Sequence, residues 1–165
     1  MSQTKEVEII QADKMLQSKV GTGKIDDAAI EKCQEVMDNN NVDFAPVAIE
    51  FLDKLQEAIE YAKSNDHEMT KAVKMMTTPV MQLKANAATF HYNLVGNLAN
   101  VMLSFLEALK VLDDDAITIV GAHHKTLHAI ALKKMKGDGG AYGVQLEQEL
   151  KDVCKRYYAS RKNSK

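Results

Sequence analysis

The chain has few turn-forming residues and no long uninterrupted apolar run. Its 165 residues include only two prolines and eight glycines. So few turn-forming residues disfavour an all-β sandwich, which needs many turns. The longest apolar stretch, 94–112, is interrupted by polar and charged residues, so it falls short of the roughly 18–20 uninterrupted residues that cross a membrane. We therefore expect no membrane segment.

Cysteine usage and the first residues indicate the reducing cytosol. The N-terminal residues lack the basic-then-apolar order of a signal peptide. The two cysteines, Cys33 and Cys154, lie far apart in the sequence, each on an apolar stripe. One disulfide between them is left open, whereas two core thiols are the favoured interpretation. We therefore expect a cytoplasmic protein.

Apolar residues recur every three or four positions along most of the chain, which predicts helices. A first helix is expected over 5–19. Asp26 or Asp27 is expected to cap the next helix, because a carboxylate accepts hydrogen bonds from first-turn N–H groups. Asp43, followed by Pro46 in the first turn, marks a third start. The second helix is expected to turn four apolar residues inward: Ile30, Cys33, Val36 and Met37. The third is expected to do so with Val47, Phe51, Leu55, Ile59 and Ala62.

The second half of the chain predicts four more segments. Residues 67–84 are expected to be helical, with a kink or break at Pro79. The most hydrophobic helix, near 89–112, is apolar over more than half its circumference. Residues 113–115 begin a helix that runs to about 135 and is followed by lysines and by Gly137, which tolerates a left-handed backbone. A glycine-rich turn then leads into the last helix.

These elements predict one all-α domain over 1–165, a single-domain bundle of six to seven helices. The hydrophobic helix near 89–112 is expected at its centre. Residues 161–165 are expected to form a frayed tail. Buried amides are expected to fix the register of the bundle or of a dimer: Asn86, Asn93, Asn97 and Asn100.

Charge is divided unevenly along the chain. Residues 121–165 carry ten Lys/Arg against four Asp/Glu, a net of +6, whereas residues 1–120 carry eleven against nineteen, a net of −8. Such a division orients acidic partners toward the C-terminal third, although attraction between the two halves of the fold explains it equally well. The basic residues accompany no groove-reading motif, so we expect no nucleic acid.

His124 and His128 lie four residues apart on one helix face, which is the spacing of two metal ligands. A glutamate between them and a third ligand nearby are both missing from the sequence, and Lys125 is adjacent. A structural role for His124 is therefore favoured over a metal site. The weak alternative, a metal held by His124 and His128, stays open.

His91 is the second chemical candidate. Phosphotransfer histidines are exposed on a bundle helix, with a positive neighbour and a small residue about one turn further on. Gly96 lies one position too far from His91, and the lysine is missing. A polar residue on the N-terminal part of the central helix is the ordinary interpretation of His91, and His124 is the other acceptor considered.

The turn 137–143 follows a lysine-rich helix end. Glycines that precede a helix can bind phosphate through their N–H groups, although a simple helix–turn–helix connection explains this run better. We expect partner binding on the 116–136 helix and this turn. The residues of this predicted surface are His123, His124, Lys125, His128, Lys133, Lys134, Lys136, Gly139 and Gly140. Simple exposure of the polar positions 123–126 to solvent is the alternative.

Four short stretches stand out in the second half: 112–115, 122–126, 137–140 and 154–157. On these residues the segment 79–158 resembles small helical accessory proteins of bacterial two-component and chemotaxis signalling. The resemblance covers about half the chain. It implies a signalling accessory role and brings no catalytic activity with it.

The sequence thus favours a non-enzymatic, cytoplasmic protein-interaction module of bacterial signalling. Nucleophile motifs are missing, and nine methionines suit an adaptable contact surface. An acidic or phosphorylated protein is the expected partner, a homodimer is considered, and no cofactor is expected. The alternative is a histidine phosphotransfer protein with His91 or His124 as acceptor. The second alternative is a helical bundle that binds a metal or a small ligand.

Overall fold

The computed structural model describes residues 15–21, 23, 26–39, 42–64 and 68–162. The chain divides into two compact units, 1–39 and 40–165. That the whole chain forms one domain stays a prediction. Most of the helix expected over 5–19 lies outside the described residues, as does the tail after residue 162. Of the expected frayed tail, residues 161–162 belong to the last helix.

The described residues contain seven helices and no strand, so the predicted all-α class is confirmed. The first unit holds α1, Met15–Val20, and α2, Asp27–Asp38. The second unit holds α3, Ala45–Lys63; α4, Met69–Ala87; α5, Asn93–Ala108; α6, Asp114–Leu132; and α7, Gly140–Lys162. Within the described parts of the chain, every helix is too short or too polar to cross a membrane.

Helices α3 to α6 form a closed ring. Each packs against the next along the chain, and α6 returns to pack against α3. Helix α7 packs on α5 and α6. Because short connections join consecutive helices, neighbours in the ring run antiparallel. The starts of α3 and α5 therefore share one end of this four-helix bundle, the Asp43 end, and the starts of α4 and α6 share the other, the Asp113 end.

Helix α5 is the predicted hydrophobic centre, and nine of its sixteen residues are buried. It is shorter than expected, because the chain leaves helical geometry at both predicted edges. His91 has a left-handed backbone with φ 65°, and Leu109 is extended with ψ 128°. The bundle therefore has its apolar helix in the expected place with narrower bounds.

Three predicted helix starts are confirmed, with Asp26 and Asp113 as N-caps and Asp43 one residue before the N-cap Phe44. The carboxylates of Asp26, Asp43 and Asp113 accept hydrogen bonds from first-turn N–H groups at 3.1, 3.1 and 2.9 Å. Each bond satisfies an N–H that the first turn of a helix leaves without an intrahelical partner. Local capping chemistry thus positions α2, α3 and α6.

The predicted kink or break at Pro79 does not divide α4, which continues across it from Met69 to Ala87. Two threonines just before the proline turn their hydroxyls back onto the helix. Thr77 donates to the carbonyl of Val73 at 2.8 Å, and Thr78 donates to that of Lys74 at 3.0 Å. Pro79 is buried against the core, so packing outweighs the lost N–H.

Several inward assignments were wrong. The apolar residues of α2 are all exposed, including Cys33, so only Cys154 is a core thiol; both cysteines are free. On α3, Val47 is exposed and Ala48 faces the core, because two adjacent apolar positions compete for the buried face. On α5, the expected buried amides are at the surface: Asn93, Asn97 and Asn100.

Candidate functional site

The middle of α6 has a buried side that holds His123. The sequence placed this ring on the partner-binding surface, and the structure corrects that, because its exposure is 0%. Its Nδ1 lies 2.9 Å from the carbonyl of Ile119, to which it donates, while Nε2 has no hydrogen-bond partner among the described residues. Burial lowers the pKa of His123 below its ordinary 6.5. His123 is therefore a neutral core residue.

His124 joins α6 to α3. Its Nε2 lies 3.1 Å from the carbonyl of Leu52, one of the core residues of α3. Burial lowers the pKa of His124, and the bond to Leu52 partly opposes that shift. One of the two ring nitrogens of His124, Nε2, is thus engaged between two helices.

The rings of His124 and His128 lie near each other, with centroids 5.7 Å apart. Across the described part of the chain, no cluster of three His, Cys, Asp or Glu side chains could hold a metal ion. His124 and His128 therefore have no third His, Cys, Asp or Glu ligand beside them in that part of the chain.

Helix α6 ends at a lysine in the conformation that glycine usually supplies. Lys134 has φ 50°, and the N–H of Met135 reaches back to the carbonyl of Ile130 at 3.1 Å. This is a Schellman-type ending with lysine at the left-handed position. The expected left-handed Gly137 does have φ 81°, yet it lies three residues further on.

A salt bridge from Lys134 reaches the start of α3. Its Nζ lies 2.6 Å from a carboxylate oxygen of Asp43. The hydrogen bond from Lys134 lowers the pKa of Asp43, and the same bond raises the pKa of Lys134. Both groups are solvent-exposed, so water weakens the pair. The charge of Lys134 is thus paired within its own chain.

The turn after α6 is bonded to the start of α5. The N–H of Gly137 donates to the carbonyl of His91 at 2.6 Å, and the N–H of Leu94 donates to the carbonyl of Gly137 at 2.9 Å. The N–H of Gly140 donates to the Asp138 carboxylate at 2.9 Å, and that of Gly143 to the carbonyl of Gly139 at 3.0 Å. The sequence argument expected the N–H groups of the turn to be unshielded, and for Gly137, Gly140 and Gly143 that was wrong.

Two glycines of this turn are required by close packing. A Cβ on Gly139 would lie 2.9 Å from a Leu94 methyl carbon, and Gly139 also has φ 76°. A Cβ on Gly143 would lie 2.0 Å from the carbonyl oxygen of Asp138. The glycines therefore let the turn approach α5 and α7, which explains them without a phosphate ligand.

His91 lies in the tight turn between α4 and α5. The sequence had placed it on the central helix. The turn closes with the N–H of Tyr92 bonded to the carbonyl of Ala87 at 2.8 Å. A half-buried ring on a left-handed turn residue lacks the helical exposure that phosphotransfer needs.

A groove of about 400 Å³ lies beside the lysine side of α6. Its floor is mainly apolar, and Lys125 and Lys133 lie on its rim. Of the predicted surface residues, the structure brings Lys125, Lys133 and Gly139 to this groove. The other lining residues are Leu94, Thr126, Ala129, Ile130, Met135, Tyr142, Gly143 and Leu146.

Sequence reasoning missed the apolar walls of this groove. Leu94 comes from α5, and Tyr142 and Leu146 come from α7, so only the fold brings them beside α6. Tyr142 carried the one available signal: a large aromatic side chain directly after a glycine turn. It is 86% exposed.

Comparison with known proteins finds no matching family model, no matching curated protein and no matching solved structure. The geometry of the groove and the charge around it are therefore the basis for a functional proposal.

Proposed function

We propose that this chain is a non-enzymatic protein-interaction module that binds an acidic or phosphorylated partner in the groove between α6 and α7. The observation that carries the proposal is the groove itself, with an apolar floor and two exposed lysines on its rim. Binding clefts for small and extended ligands combine these features: an apolar lining for affinity and a few polar groups for orientation.

The charge of the surrounding segment supports an acidic partner. Residues 125–146, which supply all of the groove except Leu94, carry four lysines against one aspartate, a net charge of +3. A field of one sign over an apolar cleft attracts partners of the opposite sign and raises their association rate. Lys136, also exposed, adds to that field next to Met135 of the groove.

We place this activity in the bacterial cytoplasm, among signalling accessory proteins, on the resemblance of the segment 79–158. A homodimer remains part of the proposal as a second mode of association. Phosphotransfer is not favoured by any observation, since His91 lies in a turn and His124 is bonded to Leu52.

The test is capture of partners from a lysate of the source organism by three forms of the chain. They are the wild type, Lys125→Glu with Lys133→Glu, and a control with the same change of net charge, Lys74→Glu with Lys110→Glu. All four lysines are exposed, so we expect every form to fold, and thermal melting checks this.

We expect the wild type and the control to retain the same acidic or phosphorylated protein, identified by mass spectrometry, and the groove variant to lose it. Equal retention by the groove variant in low salt would place the binding surface elsewhere.

A further inference from the structure

The lysines of the groove lie in one row on α6. Lys125, Ala129 and Lys133 are spaced four residues apart, so they share a face of the helix. At 1.5 Å per residue, eight residues separate the two lysines by about 12 Å along the helix axis. Between them Ala129 leaves a gap, since its side chain is a single methyl group.

The opposite wall is formed by α7. Tyr142 and Leu146 are four residues apart and therefore share a face. Gly143 between them is buried and has no side chain, so it leaves the groove open. The groove thus has parallel features on both sides, a lysine–alanine–lysine row on α6 and a tyrosine–leucine row on α7.

This spacing argues against a single phosphate group as the ligand. Phosphate recognition brings several cationic or N–H donors together at one point. Here the two rim lysines are attached about 12 Å apart along the helix axis. The N–H groups of Gly137, Gly140 and Gly143 are already engaged in hydrogen bonds. Lys134, the next candidate, is paired with Asp43.

The same spacing fits a helix. A helix that lies in a groove presents apolar anchors at positions i, i+3 or i+4 and i+7. Carboxylates that border that stripe seven or eight residues apart lie about 11–12 Å from each other, which matches the two lysines. The gap at Ala129 allows the backbone of such a helix to approach α6 closely.

We propose that the groove binds an acidic amphipathic helix of a partner protein, with its apolar stripe between α6 and α7 and two carboxylates on Lys125 and Lys133. This inference rests on the proposed function and specifies its partner. Tyr142 covers the apolar stripe from the α7 side, and Ile130 and Leu94 form the floor beneath it.

The probe is a library of random 16-residue peptides displayed on phage, selected on the full chain and depleted on the variant Lys125→Glu with Lys133→Glu. We expect enriched sequences with apolar residues at helical spacing and Asp or Glu seven or eight positions apart. The best peptide is then synthesised, and its affinity is measured by fluorescence anisotropy.

Two variants separate charge from shape. Reversal of the charge at both lysines is expected to weaken peptide binding by about tenfold, and by less at high salt. Ala129→Trp fills the groove without changing charge and is expected to weaken binding by about 30-fold or more. Ala85→Trp, at an exposed alanine of α4 outside the groove, is the matched control and should leave the affinity unchanged.

Enrichment of extended or proline-rich sequences would overturn the helix assignment, as would no enrichment over the variant. Equal binding by Ala129→Trp would also overturn it. If the lysate partner is still captured in a lysine-dependent manner in those cases, the interaction module stands and only its helical ligand is wrong. If that capture fails too, the proposed function falls with it.

Discussion

The Asp43 end of the bundle is closed by backbone, whereas the Asp113 end is closed by side chains of α7. At the Asp43 end, Gly137 exchanges hydrogen bonds with His91 and Leu94 through main-chain atoms. Beneath them Phe44 stacks on Phe90 with ring centroids 4.9 Å apart, and Tyr92 meets it edge-on at 5.5 Å. Gly137 suits this position because its backbone is left-handed, with φ 81°.

At the Asp113 end, α7 brings long side chains onto the start of α6. Arg161 pairs with Asp113 and Asp115, and its guanidinium lies 3.7 Å from the centroid of the Tyr157 ring. Burial raises the pKa of Asp113, but hydrogen bonds from Ala116 and Arg161 outweigh it, so that pKa lies below 3.8. Tyr158 donates to the carbonyl of Phe105 at 2.8 Å.

The difference indicates how each end tolerates change. At Gly139 and Gly143 an added Cβ would lie 2.9 and 2.0 Å from its nearest neighbour, so the turn must move, whereas a side-chain contact can be removed without displacing the backbone. The groove lies beside the Asp43 end, because Gly139 and Gly143 line it. A preformed groove costs a ligand less ordering entropy.

The largest expected effect comes from removing the ring beneath the backbone closure. Phe44→Ala empties a fully buried site between two aromatic rings, and we expect it to lower the free energy of unfolding by about 3–5 kcal/mol. Urea denaturation at pH 7 measures this. Phe51→Ala, at a half-buried position of α3, should cost less. Equal losses of unfolding free energy for the two variants would mean that Phe44 contributes no more to stability than Phe51.

Gly143→Ala tests the intolerance of the backbone contact directly. The new Cβ would meet the Asp138 carbonyl at 2.0 Å, so the turn must move, and we expect a loss of about 1–3 kcal/mol. The matched control is Gly121→Ala in α6, where a Cβ meets nothing within 4 Å and alanine should stabilise the helix by about 0.5–1 kcal/mol. Thermal melting of both variants shows the contrast, and a stabilised Gly143→Ala would contradict it.

Tyr158→Phe tests the side-chain closure. It removes one hydroxyl donor and leaves the Phe105 carbonyl, in the last turn of α5, without that bond. We expect a loss of about 1 kcal/mol, measured by urea denaturation, with the rest of the Asp113 end intact. A loss as large as that of Phe44→Ala would mean that both ends depend equally on a single side chain.

Lowering the pH tests the middle of α6, which takes part in neither end of the bundle. The folded pKa values of His123 and His124 lie below 6.5, mainly because of burial, so the unfolded chain binds protons first as pH falls. Stability is full above pH 6.5 and declines from there toward the folded pKa values. We expect His123→Leu to show a shallower decline than the wild type in urea titrations between pH 7 and 5. Parallel curves would exclude His123 as a cause.

The starts of α2, α3 and α6 were predictable from sequence, whereas the start of α5 and the end of α6 were not. Asp26 and Asp113 cap their own helices, and Asp43 accepts a bond from the first N–H of α3, so the signal and the structure lie within four residues. The endings at His91 and Lys134 use left-handed residues other than glycine. Contacts from distant segments accompany them: Gly137 donates to His91, and Asp43 pairs with Lys134.

The candidate site was half predictable for the same reason. Charge along one helix identified Lys125 and Lys133, because a local pattern is enough to find exposed cations. The walls from α5 and α7 depend on tertiary packing that no spacing in the sequence reveals. His123 was misplaced because a polar residue within a helix reads as exposed, whereas here the core accepts it as a neutral ring.

The ring order of α3 to α6 also sets an order of assembly during synthesis. Three of its helix–helix interfaces join helices that are consecutive in the chain, and such local contacts form at low entropic cost. The fourth interface joins α6 to α3, where His124 and Leu52 are in contact although 72 residues separate them in the sequence. On the ribosome, α3, α4 and α5 can therefore pair as they emerge, and the bundle closes only after residue 132 has left the exit tunnel. A nascent chain halted before α6 would expose the open face of α3, which makes that stage the one at which a chaperone has most to protect.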